Sequence, residues 1–98
     1  MLDKLEIWKV EYKNKYFKKF KDDLWIETEN GQTINEYKKI DENDNMLTLS
    51  HINKDNYFIK LEPNYCFKTK SLNGQSYLLF RGNWIDYDES KFLILLIL

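Results

Sequence analysis

An all-β fold is predicted: an antiparallel meander of about eight short strands, closed into a small barrel or a sandwich. Three observations carry it. Turn-forming clusters recur every six to twelve residues, the segments between them are rich in Ile, Tyr, Phe and Trp, and alanine, the best helix former, is absent. A chain of 98 residues has room for one hydrophobic core, so residues 1–98 are read as a single β domain.

The first element is the one place where helix and strand compete. Asp3 to Glu6 has the form of a capping box, and Leu2, Leu5, Trp8, Tyr12 and Tyr16 fall at helical spacing. A helix, however, would bring Lys9, Lys13 and Lys19 into the apolar arc. Alternation fits better: Trp8, Val10, Tyr12, Tyr16 and Phe20 share one parity, with lysines and Glu11 dominating the other. The expectation is strand, with those five side chains inward.

Further strands are expected at 24–26, 33–40, 46–51, 57–61, 65–69, 76–81 and 84–87. Asn30-Gly31 and Asn73-Gly74 are the strongest turn signals, because both residues tolerate the positive φ of a type I′ hairpin. Gly82-Asn83 reads as another tight turn, and Pro63 falls between strands, where its missing N–H is harmless.

The C-terminal segment 91–98 ends in seven consecutive apolar residues, Phe92 to Leu98. That is well short of the roughly 20 residues of a membrane helix, and of the roughly 9–11 alternating residues of a membrane strand. No membrane span is expected. Unbroken apolarity implies a strand covered on both faces. Phe92, Ile94, Leu96 and Leu98 are therefore candidates for an assembly surface, in a homodimer or against a partner. A crossing of the core, or an element cut from a longer protein, would also cover them.

Charge is unevenly laid out. Residues 1–21 hold seven lysines and three acids, whereas residues 22–62 hold ten acids and four lysines, within a chain of net charge −1. One arginine and an acidic pI are a weak starting point for a nucleic-acid binder. The lone Cys66 rules out an internal disulfide, and the first residues lack the pattern of a secretory signal, so a reducing, cytoplasmic location is expected.

No catalytic, metal or cofactor signature is found. Nucleophilic chemistry needs a nucleophile, a base and an orienting group. Here the only thiol is Cys66 and the only imidazole His51, and pairing them requires two distant strands to meet. Glu27 and Glu36 flank the Asn30-Gly31 turn and could face each other as an acid–base pair. Asp41 to Asn45 begins like a calcium loop, but Met46 stands where glycine is needed and Ile52 where glutamate is needed. The three glycines are scattered, so no phosphate cradle forms.

The feature beyond routine is sixteen aromatic residues, more than a small core encloses. Arg81, Asn83, Trp84 and Tyr87 gather an arginine, an amide and two rings near one expected turn, chemistry suited to a protein hot spot or a sugar face. Trp25 beside Glu27 is a fainter second candidate. For each tryptophan the competing role is core packing. The functional expectation is a non-catalytic binding module recognising a protein or glycan partner. The alternative is a nucleic-acid-binding barrel using the lysine and aromatic stretch 9–21, whose rings and lysines interleave as in stacking platforms.

Overall fold

In the computed structural model, which describes residues 7–85, the chain forms eight antiparallel strands in a closed barrel, with each strand paired to its sequence neighbours and β8 closing on β1. They are β1 (Ile7–Val10), β2 (Lys15–Lys21), β3 (Leu24–Glu29), β4 (Gln32–Glu42), β5 (Leu47–His51), β6 (Phe58–Leu61), β7 (Tyr65–Thr69) and β8 (Ser76–Trp84). The predicted meander is present, as a barrel rather than a sandwich. Tyr87, Phe92, Ile94, Leu96 and Leu98 lie outside the described residues, as does the whole expected strand 91–98.

The N-terminal expectation needs correcting. The stretch is two strands, β1 and β2, joined by residues 11–14, and Tyr12 sits in that turn with φ of 61°. The turn resets the alternation. Trp8 pairs with Phe17 and Lys9 with Tyr16, so Phe17 enters the core while Tyr16 leaves its predicted partners Trp8 and Val10. Tyr16 instead packs with Ile7 and Ile85 in a second cluster on the opposite face of the wall. Tyr12 and Phe20, both predicted inward, are 93% and 66% exposed. Parity counted from Trp8 fails because the turn intervenes.

The two Asn-Gly signals have different outcomes. Asn30 and Gly31 have φ of 52° and 82° and join Glu29 to Gln32, a two-residue hairpin of type I′. Asn73-Gly74 lies inside the longer connection between Thr69 and Ser76, where the Gly74 N–H donates to the Ser71 carbonyl at 3.1 Å.

Gly82-Asn83 is not a turn. Both residues lie within β8, which runs unbroken from Ser76 through Trp84, so the break expected between residues 81 and 84 is not present. Gly82 is needed for closure of the barrel. It pairs with Val10 on the β1–β8 seam, and a Cβ there would collide with the Lys9 carbonyl and come within 2.6 Å of the Trp8 indole. A large ring lying over the strand removes the space for any side chain.

The bore is filled. Trp8, Phe17 and Tyr37 are fully buried and contact ring to ring, with centroids 6.2 and 6.1 Å apart. Val10 of β1, Trp25 of β3, Leu47 and Leu49 of β5, Ile59 and Leu61 of β6 and Cys66 of β7 complete the cluster. Each large apolar side chain removed from water contributes about 3 kcal/mol. A packed eight-stranded bore has its space taken by side chains, which leaves the rims and the outer surface as the accessible faces.

Candidate interaction surface

One rim carries the turns at 11–14 and 30–31 and the connections at 52–57 and 70–75. Just inside it lies a chain of polar groups. Glu27 of β3 faces inward and is 4% exposed. Its Oε2 pairs with the Lys15 ammonium at 2.9 Å, while its Oε1 accepts from the Tyr37 hydroxyl at 2.7 Å and from Asn35 Nδ2 at 3.1 Å. The Asn35 Oδ1 is 2.8 Å from His51 Nε2. His51 Nδ1 accepts the Asn53 backbone N–H at 3.0 Å, so Nε2 carries the proton and donates to Asn35. The Tyr57 ring packs edge-on to His51 at 5.0 Å, and the Lys68 ammonium lies 4.2 Å from the Tyr57 centroid.

The electrostatics follow from that geometry. Burial works against charge on Lys15, but the carboxylates of Glu27 and Glu29 outweigh it and hold the ammonium above its ordinary pKa. Burial, reinforced by Glu27, raises the Tyr37 phenol, which stays protonated and donating. Burial and then the Lys54 ammonium lower the His51 pKa, against a smaller opposing pull from Glu27. Both oxygens of Glu27 and both ring nitrogens of His51 are engaged, so the network holds the rim together.

Two sequence pairings do not form. Glu27 stands opposite Asn35 and faces inward, while Glu36 stands opposite Ile26 and is exposed, so the two carboxylates occupy opposite faces. Cys66 is in the core, where burial raises its thiol pKa, and the nitrogens of His51 turn instead to Asn35 and Asn53.

The predicted site residues are distributed across the wall. Arg81 and Asn83 are exposed, whereas Trp84 is half-buried, packed on the core, and meets the buried Trp25 edge to face at 6.1 Å. Alternation along β8 explains the split: residues 81 and 83 point outward and residue 84 inward. Asn83 Nδ2 donates to the Trp84 carbonyl at 3.1 Å. The Trp25 indole N–H is buried without a hydrogen-bond partner among the described residues.

A different feature adjoins Arg81. β1 pairs with β8 only over Gly82–Trp84, and the last contact between them is the Glu11 N–H donating to the Arg81 carbonyl at 2.8 Å. Beyond that point β8 continues toward the rim. Among the described residues, Ser76–Phe80 pairs with β7 alone. Register slips here, with Cys66 opposite Phe80 and Phe67 opposite Leu78, so Leu79 is the extra residue of a β-bulge. The bulge breaks the alternation, and Tyr77, Leu78 and Leu79 are all exposed, the first two at 55% and 52%. The Lys13 ammonium lies 5.4 Å from the Phe80 ring, and that of Lys15 lies 4.7 Å from it.

The exposure of residues 77–79 was not anticipated, because an apolar run reads as buried. A usable signal was the charge pattern: residues 63–85 contain Lys68, Lys70 and Arg81 and no acid. Elsewhere, Lys21, Asp22, Asp23, Leu24, Lys38 and Ile52 line an open groove of about 460 Å³ with charges of both signs. Among the described residues no group of three His, Cys, Asp or Glu could hold a metal ion, and no helix is long and apolar enough to cross a membrane.

No protein-family model matches the chain, and neither a curated protein nor a solved structure matches it.

Proposed function

We propose that this protein is a non-catalytic interaction module that recognises a protein partner through the rim-side half of β8. The observation that carries the reading is the exposed apolar run Tyr77-Leu78-Leu79 beside Arg81. An aromatic ring, aliphatic side chains and an arginine on one exposed strand are the composition of a protein hot spot. A sugar-binding face receives less support, since Trp25 and Trp84, the rings expected to stack on it, turn inward.

Selection of displayed random peptides on the native protein tests this. The expected binders lose at least tenfold in affinity on Leu78→Lys and on Arg81→Glu, while Leu78→Lys keeps the parent's unfolding midpoint. Binders indifferent to both substitutions would place recognition elsewhere.

A second reading, nucleic-acid binding, is favoured by the exposure of Tyr12 and Phe20, which flank lysines on β2 and its preceding turn. Single-strand affinity would then fall steeply as salt rises from about 50 to 200 mM. A flat response, or no binding, removes it.

A further inference from the structure

We infer that the partner docks by adding a strand to β8: an extended segment of another protein, apolar at alternate positions and flanked by carboxylates. This rests on the reading of β8 as a recognition surface and specifies how that surface works. The open stretch Ser76–Phe80 is five residues, roughly 17 Å of strand. Its backbone donors and acceptors directed away from β7 have no strand to pair with among the described residues, and an extended segment satisfies them in register. Proteins ordinarily blunt such an edge with lysine, proline or inward charge. Ser76-Tyr77-Leu78-Leu79-Phe80 has none of these, and the bulge at Leu79 is its one interruption.

Charge selects the occupant. Lys13 and Arg81 stand where β1 leaves β8, and Lys68 lies opposite Tyr77 on β7. Among the described residues none of the three has a carboxylate within ion-pair distance, whereas Lys15 is held by Glu27 and Glu29. Acids at the flanks of the incoming strand complement these cations. A second copy would bring its own β8 edge, where Lys13 and Arg81 outnumber Glu11 at the junction and residues 63–85 carry no acid. Like charges meeting at such a junction disfavour that pairing.

The test uses the full chain, isotope-labelled, with the synthetic peptide Asp-Asp-Val-Thr-Ile-Thr-Val-Asp-Asp as probe and amide hydrogen exchange as readout. The probe is expected to slow exchange within residues 76–80 by at least tenfold. A version with lysine in place of aspartate should bind at least tenfold more weakly. A version N-methylated at alternate residues should lose the protection. Three outcomes overturn the inference: no protection at millimolar probe, equal binding of the N-methylated probe, or amides already protected in the free chain. Protection in the free chain that is independent of concentration would assign the edge to residues 91–98 of the same chain. Protection that grows with concentration would assign it to a second copy. Displayed peptides that remain sensitive to Leu78→Lys while showing no amide protection would preserve the recognition surface and remove strand addition alone.

Discussion

The β3–β4 hairpin and the β7–β8 hairpin belong to one barrel yet invert the usual placement of polar and apolar groups. The first buries a carboxylate: Glu27 sits inside the wall with Lys15, Asn35 and Tyr37 around it. The second leaves Tyr77, Leu78 and Leu79 in water. Both arrangements cost stability considered alone. Burial of a charge is tolerable when its oxygens find partners, and both oxygens of Glu27 do so among Lys15, Asn35 and Tyr37. The exposed apolar run has no such internal compensation, and a partner that covers it would supply one. A buried charge with partners on both oxygens serves the architecture, whereas an exposed apolar edge leaves surface open to contact.

The largest effect expected concerns what is inside. Phe17→Ala should lower stability by roughly 3–5 kcal/mol, while Phe20→Ala, three residues along the same strand, should stay within about 0.5 kcal/mol. Denaturant unfolding of the two variants measures the difference, and equal losses would refute the register of β2. Next is the buried charge. Glu27→Gln leaves Lys15 without its nearest carboxylate and should cost about 3 kcal/mol, with Leu78→Asn on the open hairpin near zero as its counterpart. If Leu78→Asn proved the more costly, the assignment of the two hairpins would be reversed.

Gly82→Ala should cost about 1–3 kcal/mol by forcing both the Lys9 carbonyl and the Trp8 ring off the seam. Gly31→Ala, which meets open space but keeps φ at 82°, should cost about 1–2 kcal/mol through backbone strain alone. Near-ultraviolet dichroism separates them, because only the first displaces an indole.

The smallest effect is acid dependence. The folded state lowers the His51 pKa, so the neutral ring is the form the fold favours. Its contribution is complete above the ordinary value of 6.5 and is lost as pH falls below it, toward the lowered folded value. Protonation puts a hydrogen on Nδ1, where the Asn53 N–H now donates. His51→Gln should flatten the unfolding midpoint across that window, and an unchanged slope would remove His51 as its source.

Much of the fold was legible locally. Residues 65–69 form the strand expected of them, and Asn30-Gly31 makes the turn its φ requirements dictate. The failures share one cause. Local pattern alone misplaces Tyr12, Phe20 and Gly82, because a four-residue turn shifts the parity of β2, and the Lys9 carbonyl and Trp8 ring, from another strand, require the glycine. The candidate surface was less legible. Arg81 is exposed as expected, but Trp84 and Trp25 point inward, and the acid-free run 63–85 marks a basic stretch without marking Tyr77 to Leu79 as exposed.

What the sequence by itself determined is the architecture: alternation, aromatic and β-branched content and regularly spaced turns specify a short-stranded meander, because each acts over a few residues. Closure, and with it the split between bore and edge, was decided by tertiary structure. Whether a residue of β8 has one neighbouring strand or two depends on where β1 stops, some seventy residues earlier in the chain. Burial of Glu27 likewise depends on partners drawn from β2 and β4. These are contacts between distant segments, so no local pattern encodes them, and they set which side chains are left exposed.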